Sequence, residues 1–574
     1  MSHLCWDNFD LNEETPTGAG TTHITHGIVI QEVESSAVEQ LPCSDQQRTR
    51  ERRFQYAVPW LPPCYATCHV EPVLDNASDV LTEQHSSGIT QSPRGLLWAI
   101  CRGLFNSTCS VPDWNGWISM TTSADDTKQS TVGYMKTIMH PITDSATVQQ
   151  CLQTSMQVTE KLGQSFTFVT FDYAAARIAY NIIWDRPSRY SNVVIHMGAF
   201  HTMRSYMGAL GKMMSGSGFE DVLIEAGVVA SGSISQIMNG SHYNRAMRVH
   251  QHMADAVERL LLDRFLTDMP LDDHQLTEVL TLAECPSFTT LIEAMSTSSC
   301  LEFMDKYSAF KDTVRKGDLG DTARFWISYC DCVWTLLHFL ESVKENDVDL
   351  YIRSLRQLCG LMFSADHLSY ARYLPMYYLQ LSTAMSTNPE AQSLLSRYGI
   401  SVSRSSVPGC RNPVDLTIEQ TINRSAKTSG GVVGFSRNVN AYYRWCVARH
   451  ERATYLEAAL EELDLVSESA CLHKNARPAE MTRSEAAVTN LVSAFRDFLD
   501  PFSVPAESHN SLICLSSGKP ATLRVSQDLL RYVDLGNQAA DNFFKERLLD
   551  QTTKFHSKLS KLCLLYTSPS PRDS

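Results

Sequence analysis

"SFTFVTFDYAAARIAYNIIW" runs from Ser165 to Trp184. Its first part is apolar, aromatic and β-branched, the pattern of a strand buried on both faces over 166–171. Its second part repeats apolar residues at helical spacing, so a helix is expected directly after Asp172. "SNVVIHMGAFH" follows as a second strand over 192–197, ending near His201. "TMRSYMGALGKMMSGSG" then reads as a helix closed by glycines. Strand, helix, strand and helix with short links predict an α/β core over 166–242. The two strands should be neighbours in one sheet, because a single helix joins them.

Asp172 ends the first of these strands. A carboxylate is costly to bury there unless it is hydrogen-bonded or meets a cation. Ligands of α/β sheets gather at the carboxyl ends of strands. Aspartate is also a good N-cap for the helix that follows. The two roles are compatible, and the sequence leaves both open. His201, 29 residues later, reads either as a satisfied core histidine or as a second site residue.

Outward from this core the chain changes character. Residues 1–55 are polar and end in the basic cluster "RTRERR", and they are expected to lack fixed structure. That cluster is either a solvated linker or a nuclear-targeting or DNA-contacting arm. Residues 56–165 form a mixed region completing the core, with a strand expected in "VPDWNGWISMTTS". Residues 243–400 are almost wholly helical by periodicity, a helical insertion without a fixed repeat. Trp326, Trp334 and Phe339 fall on a helical stripe expected to face inward, packed against one edge of the sheet. Residues 401–450 carry a core helix, and residues 451–562 form a helical C-terminal region. The tail "CLLYTSPSPRDS", residues 563–574, resembles an in-frame translation of a sequencing-library adaptor, so the natural chain is expected to continue differently. The fold class expected is an α/β core with a large all-α insertion and an α-helical C-terminal region, predominantly helical overall.

A net charge of −14 argues against a generic nucleic-acid coat, though not against a local basic groove. Seventeen cysteines without a repeating spacing, and a polar first stretch, suggest an intracellular, reducing compartment. No apolar run reaches the length of a membrane span. Cys64, Cys68 and His69 could open a zinc site, but no second Cys/His pair lies near enough to complete it.

"DLTIEQTINRSAKTSGG", from Asp415 to Gly431, departs from the acidic background. Asp415 and Glu419 stand one helical turn apart, so both face one side. Their repulsion is relieved by a divalent metal or a nearby cation. Asp415 as a cap on a solvated helix is the plainer reading. Between Ser401 and Arg452 there are eight basic residues against three acidic ones. Arg411, Arg424, Lys427, Arg437 and Arg444, with Tyr442 among them, suit phosphate contact and base stacking. Gly430 and Gly431 are expected to end the helix.

The segments "VTFDYAAARIAY", "HMGAFHTMRSYMGALGKMMSGSGFEDVLIEAGVVASGS", "YARYLPMYY" and "DLTIEQTINRSAKTSGG" resemble a large uncharacterised family of invertebrate genomes derived from mobile elements. A more distant, fold-level resemblance is to hAT and Mutator-like transposases, with their RNase H-like core. That resemblance implies a strand-borne Asp, a Cys-x-x-His element, a helical insertion and a helix-borne Glu. Asp172, His201 and Glu419 match the Asp, the His and the Glu, while Gly198 stands where the Cys belongs. Asp113, 59 residues before Asp172, is the upstream candidate for the first acid, with Asp415 as the alternative third acid. The implied function is metal-dependent nuclease or strand transfer on DNA, with Mg²⁺ held by Asp172 and Glu419. The alternatives are a non-catalytic domesticated DNA-binding protein and a helical structural or interaction protein. A nuclear location would suit either DNA reading.

Overall fold

The computed structural model describes residues 2–13, 20–31, 60–64, 69–72, 91–109, 111–122, 129–268, 297–427 and 473–562, with a few single residues between them. The described residues are predominantly helical and contain a small mixed sheet of five strands. These are β1 (Ser2–Glu13), β2 (Gly20–Gln31), β3 (Thr131–Tyr134), β4 (Thr167–Phe171) and β5 (Val193–Met197), in the order β3-β2-β1-β4-β5. β1 runs antiparallel to β2 and parallel to β4, and β4 runs parallel to β5.

The adjacent pair expected from the sequence is present. Phe168 lies opposite Val194 and Thr170 opposite His196, and every residue of both strands is buried. The first 55 residues, expected to lack structure, instead supply β1 and β2. Leu4 and Trp6 point to one face, where Trp6 Nε1 donates to Ser155 Oγ at 3.0 Å on the helix Ser145–Lys161. His3, Cys5 and Asp7 alternate onto the other face. Cys5 there joins Ile28, Ile30, Val414, Ile418 and Ile422 in a compact cluster. β1 is therefore a central strand with polar residues on a buried face. The strand expected in "VPDWNGWISMTTS" is corrected to a helix, Trp114–Thr121.

The insertion lies against the β5 edge, as its stripe implied. Trp326, Trp334 and Phe339 are fully buried on the helix Asp321–Glu345. Trp98, Trp114 and Trp334 meet pairwise edge to face, with centroids 5.2–5.6 Å apart. The helix Leu368–Thr387 sends Tyr377 to the sheet, where its hydroxyl meets His196 Nδ1 at 2.9 Å. The C-terminal region is helical too, and the helix Pro478–Phe498 seats Phe495 edge-on to Trp326. No helix of the described residues is long and apolar enough to cross a membrane.

Candidate functional site

The polar face of the sheet is crossed by one helix with a defect in it. Val414–Ile418 is α-helical, Glu419–Asn423 opens into a π turn, and Arg424–Ala426 returns to α. Such single wide turns are frequent at functional sites. Asp415, Glu419 and Asn423 are spaced by four, and each has a counterpart on the sheet or beside it.

Asn423 reaches β1 and β2 together. Its Nδ2 donates to Asp7 Oδ2 at 2.9 Å, and its Oδ1 lies 2.9 Å from His26 Nδ1. Asp7 and His26 are themselves opposite partners in the β1–β2 ladder. Asp7 Oδ1 accepts from the Asn8 amide at 2.9 Å.

Asp415 has a different task from the one expected. It is buried one residue inside the helix, which begins at Val414 after a Pro413 cap. Its Oδ1 accepts from the Phe200 amide at 3.1 Å and its Oδ2 from the His201 amide at 3.0 Å. It thereby caps a second helix, Ala199–Met214, whose N-cap Gly198 has no side chain to do so. A Cβ on Gly198 would collide with the Asp415 carboxylate. The glycine that replaces the resemblance's cysteine is thus required by the approach of Asp415.

His201 Nδ1 also meets Asp415 Oδ2, at 3.0 Å. Burial alone would lower the His201 pKa. The hydrogen bond and charge of Asp415, with Asp7 and Asp172 behind, outweigh burial and raise it to about 9. His201 is a cation at neutral pH.

Asp172 caps the helix Tyr173–Asp185 through Oδ1, which accepts from the Ala175 amide at 2.8 Å. Its place beside Asp7 follows from register. Cys5 pairs with Thr170 in the parallel ladder, and two residues further along each chain stand Asp7 and Asp172. Glu419 completes the group from the helix above. Burial pushes the Asp7 pKa well above its ordinary value, Glu419 and Asp172 push it further, and His201 opposes them. The Cys5 thiol is also driven up, first by burial and then by Asp415, Asp7, Glu419 and Asp172. Six groups from β1, the end of β4 and two helices therefore share one electrostatic neighbourhood.

Beside them opens a cleft of about 810 Å³, lined by Glu419, Arg424 and Lys427 from this helix and by His242, Tyr243 and Arg245 opposite. Arg424 and Lys427 are exposed, and Lys427 lies 5.7 Å from the Phe9 ring centre.

Several sequence expectations are corrected. Asp113 is not among the groups that act on Asp7. It caps the helix Trp114–Thr121, accepting from the Gly116 amide at 3.1 Å and from Asn475 at 2.7 Å. Asp7 on β1, which the sequence reading did not single out, is the acid beside Asp172. Asp415 is committed to backbone amides and His201. Arg411 is buried, donating to Ser401 Oγ at 3.0 Å, so it is not offered to a nucleic acid. Arg437, Tyr442, Arg444, Gly430 and Gly431 lie outside the described residues.

Among the described residues, no three His, Cys, Asp or Glu side chains stand close enough together to hold a metal ion as they are. Asp7, Asp172 and Glu419 offer oxygen donors, and burial first, then the charges of Glu419 and Asp172, raises the Asp7 pKa.

Residues 113–568 match the model of one family, described as a domain of unknown function (DUF8702). The chain belongs to the DUF8702 family. The matched residues include Asp172, His201, Asp415 and Glu419, while β1 and β2 lie before them. No curated protein and no solved structure matches the chain.

Proposed function

We propose that this chain is a metal-dependent nuclease or strand-transfer protein with an RNase H-like core, of the transposase-derived kind. The observation that carries the proposal is that Asp172 and Glu419 act electrostatically on the buried Asp7, the three coming from a central strand, the end of its parallel neighbour and a helix crossing the sheet. The strand order, with β1 between an antiparallel and a parallel partner, supports the same reading.

In this reading Asp7, Asp172 and Glu419 would hold Mg²⁺, which activates an attacking oxygen and stabilises the leaving one. Asn423 fixes the Asp7 carboxylate, and Asp415 fixes His201 beside it. Arg424, Lys427 and Arg245 line the cleft as phosphate contacts for a DNA strand. The helix-borne Arg and Lys that the sequence offered as a phosphate clamp thus face the same opening as Glu419. An intracellular, nuclear location belongs with this reading.

A non-catalytic nucleic-acid-binding protein is the second reading. It is favoured by the hydrogen bonds that already engage both oxygens of Asp7. The experiment that separates the two is a DNA nicking assay across a Mg²⁺ titration, with wild type, Asp7→Asn and Glu419→Gln. The first reading expects Mg²⁺-dependent cleavage, reduced at least about a hundredfold in both variants. DNA binding by all three proteins with no cleavage by wild type selects the second.

A further inference from the structure

Behind the cleft lies a second, smaller pocket of about 320 Å³. It shares Tyr243, Asn244, Leu416 and Gln420 with the cleft, so the two lie on either side of one wall. Its walls carry three cations from separate elements: Arg248 on the helix Tyr243–Asp268, Lys344 on the helix Asp321–Glu345, and Lys474.

Elsewhere several buried cations of this protein are paired with carboxylates. Arg102 holds Asp255, Lys311 holds Glu258, and Arg259 holds Glu485 at 2.7 Å. Lys344 is half-buried, and among the described residues neither it nor Arg248 nor Lys474 forms a salt bridge. The acid in the same wall, Asp113, is hydrogen-bonded by the Gly116 amide and Asn475, and Arg248 acts on it only through its charge, without a salt bridge. A further donor points the same way. Gln251 lines the pocket, is 2 % exposed, and its Nε2 has no hydrogen-bond partner. A buried amide donor without an acceptor is costly, and natural proteins rarely leave one without a ligand or water. Burial, and then the neighbouring Lys474, lower the Lys344 pKa against an opposing effect of Cys410.

We propose that this pocket is a phosphate site. Lys344 and the Gln251 amide bind the anion from within, and Arg248 and Lys474 close over it from the rim. The pocket has the size of a nucleotide unit rather than of a bare ion. The phosphate comes either from a strand that also crosses the cleft or from a free phosphorylated compound. The site does not depend on the nuclease reading, because it requires anion binding and no cleavage.

The test is calorimetric titration with inorganic pyrophosphate and, separately, with a short single-stranded DNA. Wild type is compared with Lys344→Met and with the double variant Arg248→Gln/Lys474→Gln. The double variant changes only exposed side chains, so it reports even if Lys344→Met fails to fold. Pyrophosphate is expected to bind wild type and to weaken about tenfold or more in each variant, while Glu419→Gln retains it. If DNA affinity also falls and the salt dependence drops by about one ion per lost contact, the strand is the source. If DNA affinity is unchanged, the ligand is a free phosphorylated compound. Pyrophosphate that does not bind wild type, or binds the double variant as well as wild type, overturns the site. Cleavage with no pyrophosphate site would sink this inference alone, and pyrophosphate binding without cleavage would sink the nuclease reading alone.

Discussion

Asn423 and Asp7 are joined by a 2.9 Å hydrogen bond across 416 positions of sequence. The same Asn423 holds His26, the cross-strand partner of Asp7. One amide therefore locks a helix from late in the chain onto the two strands that begin it. Asn423→Ala should release the π turn from the sheet and leave Asp7 without its donor. A loss of about 1–3 kcal/mol is expected, the usual cost of an unsatisfied buried polar group. Urea unfolding measures it, and a loss under about 0.5 kcal/mol would show that the bond contributes little.

Asp7→Asn tests the acid itself. Burial and two neighbouring carboxylates push the Asp7 pKa up, so its ionised form is disfavoured in the folded protein. Replacing it with a neutral isostere should leave stability at pH 7 equal or higher, as is common for acids kept for function rather than for folding. A lower melting midpoint for Asp7→Asn would show instead that the charge is structurally required.

The His201–Asp415 pair gives a pH signature. The folded-state pKa of His201 is raised from 6.5 to about 9. The folded protein thus holds this proton more tightly than the unfolded chain. The stabilisation is fully present below pH 6.5 and disappears as pH rises through about 9. Melting midpoints across that window should fall in wild type and fall less in His201→Gln. Parallel curves for the two proteins would refute the assignment.

Gly198→Ala should be destabilising, since glycine is a good N-cap and alanine a poor one. The added methyl meets the Asp415 carboxylate, and overpacking of this kind costs about 1–3 kcal/mol. A double-mutant cycle with Asp415→Gly checks the cause. The two changes should be strongly non-additive, since the second removes the group the first collides with.

Removal of residues 1–31 should abolish folding. The remainder still contains the whole stretch matched by the family model, but it lacks β1, the strand between β2 and β4. β4 would be left with an unpaired apolar edge, a known route to aggregation. Soluble, protease-resistant protein from that truncation would contradict the role given to β1.

The sequence was readable wherever burial is apolar on both sides. "TFVTF" and "VVIHM" announce a parallel pair because nothing in them faces water. Trp326 and Trp334 announce the inner face of a helix for the same reason. The carboxyl end of β4 was likewise legible at Asp172. β1 was not. In "SHLCWDNFDLNE" apolar residues alternate with polar ones, which reads as a surface segment. His3 and Asp7 are nevertheless buried, because their partners come from distant elements: Thr170 for His3 and Asn423 for Asp7. No local pattern encodes such partners. Asp113 looked eligible for the same reason, since a cap and a site acid are alike in sequence. The signal that could have found Asp7 is the presence of Leu4 and Trp6 on one face of a strand-length segment, which a surface loop does not need.

The hydrogen bond from Asn423 to Asp7 also has a meaning in time. β1 is made before the helix that covers its polar face, and more than 400 residues separate the two. Throughout that interval Asp7 has neither Asn423 nor Glu419 beside it. The acidic cluster therefore cannot assemble until that helix has been made, and closing so long a loop is a slow step of folding.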